Sequence, residues 1–200
     1  MKKLRIVLWI LVAIAAVGFV ILSMMPRPET PMMQTRPDPD ATVDFGGPFE
    51  LVDADGRPYP SARLAGRPHA IFFGFTNCPD VCPTTLSNLV RWRDRIGGPD
   101  AFDIVFVTVD PLRDGPQEVG QYAGLFDSPI IVLTGSQAQI DAVMKQFGII
   151  ARRDSEDPDT YGVDHTANVF LMDRRGEFVS TISPEESAEV SLQKLERIAS

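Results

Sequence analysis

The residues of this chain best suited to chemistry are its two cysteines, Cys78 and Cys82. In a helix this spacing places both side chains on one face, with Cα atoms about 6 Å apart, which is within the span of a disulfide. The same spacing lets two thiolates converge on one metal ion. A helix that begins beside them would lower the pKa of both thiols. Because so short a loop constrains little of the unfolded chain, we expect a chemical rather than a structural role.

Two thiolates leave a metal ion short of ligands, so the two histidines of the chain are the next candidates. His69 opens an apolar strand whose far end precedes Cys78, which puts it about 20 Å from the cysteines. We expect His69 to be a surface residue whose replacement changes nothing at the cysteines. His165 lies just before another predicted strand, in a loop that is placed to supply a third ligand. Two thiolates and one imidazole suit Cu(I) and can also hold Cu(II) or zinc, although structural zinc usually takes four protein ligands.

Two aspartates are candidates for hydrogen-bond acceptors around such a site. Asp164 directly precedes His165, and Asp110 ends a predicted strand. Carboxylates commonly accept a hydrogen bond from a metal-bound histidine, but both residues also suit turns and helix caps. The sequence leaves both roles open for Asp164 and favours the structural role for Asp110.

The elements that must position these residues are strands alternating with helices. Continuous apolar runs predict strands buried on both faces, and the last two flank a turn that predicts a hairpin. The predicted strands are 49–52, 70–75, 102–109, 130–133, 169–172 and 178–182. The predicted helices are 83–96, 116–126, 136–147 and 184–199, with Pro83 opening the first and Ser136 capping the third. This order predicts an α/β fold with a mixed sheet flanked by helices.

The first 25 residues differ from the rest. Lys2, Lys3 and Arg5 precede 20 residues without a charge, enough to cross a bilayer as a helix. The run is too long for a typical cleaved signal, so residues 1–25 predict a single-pass anchor in the inner (cytoplasmic) membrane. The positive-inside rule keeps the N-terminus cytoplasmic and places the domain in the periplasm or outside the cell. Residues 26–43 contain five prolines and predict an extended linker to a domain at 44–200.

The body of the chain is acidic. Three of the 19 basic residues lie in the first five positions, so residues 26–200 carry 16 basic and 27 acidic residues. This balance argues against nucleic-acid binding. On the far side of a membrane a disulfide between Cys78 and Cys82 would persist.

Three segments together resemble the Sco/SenC family in order and spacing: Phe73-Gly-Phe-Thr-Asn-Cys78-Pro-Asp-Val-Cys82-Pro83, Val109-Asp110-Pro-Leu-Arg113-Asp114, and Tyr161-Gly-Val-Asp-His165-Thr166. The resemblance covers about residues 45–200 and implies a thioredoxin-like fold that binds one copper ion through Cys78, Cys82 and His165. It also implies a role in assembling the CuA centre of cytochrome c oxidase, with subunit II or another copper-receiving protein as the partner. Family members deliver copper, reduce the cysteines of the target, or do both.

Two functions therefore remain open. The first is a copper metallochaperone, which binds and delivers rather than turns over a substrate. The second is a thiol–disulfide oxidoreductase with Cys78 and Cys82 as its catalytic pair. Dithiol enzymes of this fold typically carry C-x-x-C and a proline before the hairpin strand, whereas this chain has C-x-x-x-C and a histidine in that region. A peroxidase of the peroxiredoxin type is disfavoured because Phe75 and Pro79 do not fit its T/S-x-x-C pattern.

Overall fold

The structure is a computed structural model and describes residues 45–155, 157 and 160–200. The predicted anchor at 1–25 and the predicted linker at 26–43 lie outside the described residues. Among the residues that are described, no helix is both long and apolar enough to cross a bilayer.

A five-stranded mixed sheet forms the centre of the domain. Its parallel strands are β3 (His69–Gly74), β4 (Asp103–Thr108) and β5 (Ile131–Leu133), and β8 (Val169–Met172) and β9 (Phe178–Ile182) continue it in antiparallel fashion. The strand order is β5-β4-β3-β8-β9, so β3 is central. The alternation of strands and helices and the closing hairpin are confirmed. The carboxyl ends of parallel strands are where α/β sheets bind ligands, and Cys78 follows that end of β3.

Four short strands form two ribbons beside the sheet. β1 (Glu50–Val52) pairs with β2 (Pro58–Pro60), and β6 (Ala151–Arg153) pairs with β7 (Val163–His165). The sequence predicts the first of these and misses the other three. Each is three residues long, which is too short to show an alternation of apolar and polar residues.

The α-helices in the part of the chain that the structure describes are α1 (Val81–Ile96), α2 (Pro116–Ala123), α3 (Gln137–Gln146) and α4 (Ala188–Ala199). α1 begins at Val81 and not at Pro83 as predicted. Pro83 fits inside the first turn because the N–H groups there have no intrahelical partner to lose. Ser136 caps α3 with a full capping box to Gln139, as its position predicted. α4 begins four residues later than predicted because Ser187 takes the N-cap and accepts a hydrogen bond from Val190 N–H.

Aromatic rings fill both sides of the sheet. Phe72 and Phe73 are neighbours on β3 and point to opposite faces. Phe73 packs against Phe147 and Phe170, with ring centroids 5.2 and 6.1 Å away, while Phe72 packs at 6.3 Å from Phe106. Both phenylalanines of β3 are fully buried. The central strand is therefore fixed on both faces, and it gives the loop that follows it a rigid base.

Candidate metal centre

Cys78 and Cys82 lie where β3 passes into α1. The Cys78 N–H donates to the Phe75 carbonyl at 3.2 Å, which closes a tight turn at the end of the strand. Cys82 is in the first turn of α1, and its N–H donates to the sulfur of Cys78 at 3.4 Å. Cys78 is half-buried and Cys82 is fully buried, and both are free thiols. The strand and the helix thus hold two sulfurs at one point.

Gly74 is the residue that lets Cys82 approach the strand so closely. A Cβ atom at position 74 would stand 2.8 Å from Cys82 Sγ and 2.9 Å from a ring carbon of Phe106. Only glycine fits there without displacement of the sulfur. A glycine within a buried strand is a signal of close approach that could have indicated the role of Gly74 from the sequence.

His165 reaches the cysteines from β7, a different strand from the one that precedes them. It ends β7, so it lies on a short paired strand and not in a loop as predicted. Its Nε2 is 3.6 Å from Cys82 Sγ, and its Nδ1 is 3.0 Å from the Thr166 carbonyl oxygen. A carbonyl can only accept, so Nδ1 carries the proton and Nε2 turns its lone pair towards Cys82. The imidazole is therefore oriented as a ligand.

Two phenylalanine rings fix the plane of the imidazole. The rings of Phe75 and Phe72 meet His165 edge to face, with centroids 5.7 and 6.3 Å away. A cavity of about 300 Å³ opens over Cys78 and His165 and is lined in part by Phe75, Pro79 and Val163. Cys78 and His165 are consequently reachable from this cavity, whereas Cys82 is fully buried behind them.

The three donor atoms form a set that a single metal ion can bind. The sulfurs of Cys78 and Cys82 and one nitrogen of His165 all lie within 4.8 Å of one another. A metal about 2.3 Å from each sulfur and about 2.0 Å from the nitrogen needs donors roughly 4 Å apart. Small side-chain movements therefore suffice. Two thiolates and one imidazole are soft ligands that favour Cu(I), and a set of three is short of the four that structural zinc takes.

Burial decides the protonation of the site in the absence of metal. Burial raises the pKa of the Cys82 thiol strongly, and the hydrogen bond with Cys78 adds to the effect. The prediction that the helix terminus lowers the pKa of both thiols is wrong for Cys82, because desolvation of a fully buried thiolate outweighs a partial charge. Burial also lowers the pKa of His165, against smaller opposing contributions from Thr166 and Asp164. The metal-free site therefore holds a Cys82 thiol and a neutral imidazole.

The two aspartates considered as acceptors have different roles. Asp164 is exposed on β7, and the His165 Nδ1–H goes to the Thr166 carbonyl instead of to its carboxylate. Asp110 is 1 % exposed and accepts hydrogen bonds from Arg113 Nε at 2.5 Å and from the Tyr161 hydroxyl at 2.6 Å. The Asp110 carboxylate thus bonds to Arg113 and Tyr161 and not to His165.

Asp114, the last residue of the second segment that resembles the family, is buried near the site in a role that the sequence did not indicate. Its carboxylate accepts from Thr76 N–H at 2.9 Å, from Thr76 Oγ1 at 2.6 Å and from Thr108 Oγ1 at 2.6 Å. Burial raises the pKa of Asp114, although these three hydrogen bonds act in the opposite direction. Thr76 is two residues before Cys78, so Asp114 ties the start of the cysteine loop to β4.

His69 is at the other end of β3 and takes no part in the site. It is 4 % exposed, so the prediction of a surface residue is wrong. Its strand is central, and Met172 on β8 lies directly opposite. The Nδ1 of His69 is bonded to the Arg67 carbonyl oxygen at 3.0 Å, and burial lowers the pKa of the ring. His69 is a buried histidine of the core.

The chain is similar to known proteins over most of its length. A family model described as SCO1/SenC matches residues 37–200. The SCO2-like protein of Rickettsia prowazekii is 35 % identical over 181 residues, which cover 88 % of this chain and 87 % of that protein.

Solved structures of the same fold include copper-bound forms. The copper-bound structure of Bradyrhizobium japonicum ScoI is 36 % identical, covers 77 % of this chain and 99 % of its own, and superposes with a TM-score of 0.69. The copper-bound structure of yeast Sco1 is 30 % identical, covers 77 % of this chain and 87 % of its own, and gives a TM-score of 0.70. The predicted thioredoxin-like fold, a mixed sheet flanked by helices, is thus confirmed for the described part of the domain.

Proposed function

This chain belongs to the SCO1/SenC family, and on that basis we propose that it is a copper metallochaperone. It binds one copper ion through Cys78, Cys82 and His165 and passes it to a protein of cytochrome c oxidase assembly, with the CuA site of subunit II as the destination. One observation carries the proposal. Two sulfurs and an imidazole nitrogen that point at a common centre come from three separate elements of the fold and lie within 4.8 Å of one another.

Each ligand contributes a separate property to the bound state. Cys82 is the buried anchor, and Cys78 is the half-buried sulfur that a recipient can reach. His165 presents Nε2 because Thr166 holds its Nδ1–H. Copper as cargo adds a soft cation that neutralises thiolate charge in a buried place. Exchange with a recipient then starts at Cys78, the exposed side of the site.

The second candidate is a thiol–disulfide oxidoreductase that reduces the cysteines of the copper-receiving partner. It is favoured by the contact of Cys82 N–H with the sulfur of Cys78, which keeps the two sulfurs close enough to join after a small rotation. Cys78 would attack, since Cys82 is buried and burial raises its pKa. Only the reduced pair offers two thiolates, so oxidation to a disulfide abolishes copper binding.

The two activities are separated by one transfer experiment. Reduced, Cu(I)-loaded full-length protein is mixed anaerobically with the soluble copper-binding domain of a subunit II, offered either reduced or as the disulfide. The metallochaperone predicts that copper moves to the reduced recipient while Cys78 and Cys82 stay reduced. Reduction of the disulfide recipient by the copper-free protein, without copper transfer in the first arm, would establish the oxidoreductase instead.

We further propose that residues 1–25 anchor the protein in the inner membrane and that the domain faces the periplasm. The uncharged run from Ile6 to Met25 and the basic residues before it support this placement. The acidic domain would then meet its partner at the outer surface of that membrane, where subunit II would present its copper site.

A further inference from the structure

Asp110, Arg113 and Tyr161 form a closed cluster beside the metal centre. The Asp110 carboxylate accepts from Arg113 Nε at 2.5 Å through one oxygen and from the Tyr161 hydroxyl at 2.6 Å through the other. Arg113 Nη1 donates to the Tyr161 carbonyl at 2.9 Å, and the guanidinium carbon lies 3.6 Å from the centre of the Tyr161 ring. Each member thus contacts both of the others.

This cluster joins two segments that are far apart in sequence. Asp110 and Arg113 lie in the loop between β4 and α2, and Tyr161 lies two residues before β7, the strand that ends at His165. The Arg113 guanidinium also lies 6.0 Å from the centre of the Phe75 ring, which in turn meets His165 edge to face at 5.7 Å. The cluster is therefore connected to His165 in two ways. Tyr161 is joined to it by the short segment of chain that includes β7, and Arg113 and His165 both contact the Phe75 ring.

The ribbon that carries His165 needs such an attachment. β6 and β7 have three residues each, and Arg152, Arg153 and Asp164 among them are exposed. The Thr166 N–H bonds to the Ile150 carbonyl at 3.0 Å and the Gly162 N–H to Asp154 Oδ1 at 2.7 Å, and both bonds join one side of the ribbon to the other. An isolated two-stranded ribbon is marginally stable in water. Tyr161 is by contrast buried against the body of the domain.

We propose that Arg113, together with Asp110 and Tyr161, is a positioning residue that holds β7 so that His165 stays beside Cys82. The inference rests on the proposed function for the ligand set but does not make Arg113 a ligand. Lysine at this position would keep the charge, yet it would lose the flat face that stacks on Tyr161 and the fork that reaches Asp110 and the carbonyl together. Removal of a residue that orients a metal ligand without binding the metal typically lowers the metal affinity by about 10- to 100-fold.

The first test uses the copper-free full-length protein. Amide hydrogen exchange is compared between wild type, Arg113→Lys and Tyr161→Phe, and the reporter is the Thr166 amide, which closes the ribbon on Ile150. Positioning predicts faster exchange at Thr166 in both variants and unchanged exchange in β3. Tyr161→Phe removes only a hydroxyl, so it retains the fold even if Arg113→Lys does not. Unchanged protection at Thr166 in both variants overturns the inference.

The second test is a double-mutant cycle on Cu(I) affinity, measured by chelator competition in the reduced full-length protein. Arg113→Lys is expected to weaken binding about tenfold in the wild-type background and by less than about threefold when His165 is already alanine. An equal loss in both backgrounds would contradict positioning through His165. Arg67→Lys is the matched control, because Arg67 also contacts a carboxylate, Asp103 at 3.0 Å, near the start of β4. Its affinity should equal that of the wild type.

The two proposals fail in different ways. If His165→Ala binds copper as tightly as the wild type, the proposed ligand set is wrong, and the exchange result on the copper-free protein decides the positioning role by itself. If His165→Ala binds weakly while Arg113→Lys and Tyr161→Phe match the wild type in affinity and exchange, the ligand set stands and the positioning role is wrong.

Discussion

The Cys82 thiol has to lose its proton before it can bind a metal ion as a thiolate. His165 Nε2 faces Cys82 Sγ at 3.6 Å, and its lone pair can accept a hydrogen bond from that thiol. Burial raises the pKa of this thiol and lowers that of the imidazole, and both shifts disfavour charge in the empty site. Metal binding therefore requires the loss of at least one proton.

The loss of this proton makes copper affinity dependent on pH. The thiol is protonated below its raised pKa, so between about pH 6 and 8 the affinity for Cu(I) should rise at least about tenfold for each pH unit. His165 adds less to this slope than an ordinary histidine would, because burial lowers the pKa of its ring. Competition titrations at several pH values measure the slope. We expect His165→Ala to retain it, and an affinity independent of pH would refute the protonated Cys82.

The close contact of Gly74 with Cys82 leads to a second prediction at the scale of single residues. Gly74→Ala should weaken Cu(I) binding and lower the free energy of unfolding by about 1–3 kcal/mol, because the new methyl group meets Cys82 Sγ at 2.8 Å and Phe106 at 2.9 Å. Gly124→Ala is the matched control, since a Cβ there meets nothing within 4 Å. Chelator competition and urea unfolding report the two effects. Wild-type affinity in Gly74→Ala would show that the sulfur is free to move.

At the scale of elements, the site depends on how three connections are tied to the sheet. The cysteine loop leaves β3, the Asp110–Asp114 loop leaves β4, and β7 carries the histidine. Asp114 joins the first two by accepting hydrogen bonds from Thr76 and Thr108. Asp110 and Arg113 join the second to the third through Tyr161. The Asp110–Asp114 loop thus contacts both the cysteine loop and the segment that leads to His165.

Replacement of Asp114 tests whether its contacts stabilise the fold. Asp114→Ala leaves the half-buried Thr76 N–H and two hydroxyls without their acceptor, which should lower the free energy of unfolding by about 2–4 kcal/mol. Asp114→Asn keeps the shape and one acceptor oxygen, so its loss should be smaller. Asp141→Ala removes an exposed carboxylate of α3 and should stay within about 0.5 kcal/mol of the wild type. Urea unfolding distinguishes these values, and equal stability of Asp114→Ala and Asp141→Ala would show that the contacts of Asp114 do not stabilise the fold.

Long elements of this fold were predictable and short ones were not. β3 and β4 each contain a continuous run of at least four apolar residues because both faces of the sheet are covered there, and such runs stand out in a sequence. β6 and β7 have no such pattern, since their pairing depends on where Tyr161 and Thr166 are held. Residue type, scarcity and position along the chain made Cys78, Cys82 and His165 the candidates, and the structure brings these three residues together. Gly74 and Asp114 were missed because their roles are contacts across the fold, as is the burial of His69.

At the scale of the whole molecule, the predicted anchor should attach the acidic domain to the membrane. A positive N-terminus before an uncharged run of 20 residues should hold the protein in the membrane. We predict that the full-length protein stays in the membrane fraction after a carbonate wash, and that a variant without residues 1–25 becomes soluble. External protease should reach the domain in spheroplasts. Release of the full-length protein by carbonate would contradict an uncleaved anchor.

The most direct test of the copper site is an anaerobic Cu(I) titration of the reduced full-length protein against a competing chelator. We expect one copper per chain, with affinity lowered at least about tenfold by Cys78→Ser, Cys82→Ser or His165→Ala. His69→Ala, which removes the other histidine at the far end of β3, should bind as the wild type does, although the loss of a buried ring will reduce its stability. Wild-type affinity in His165→Ala, or no copper bound by the reduced wild type, would rule out a copper site formed by these three residues.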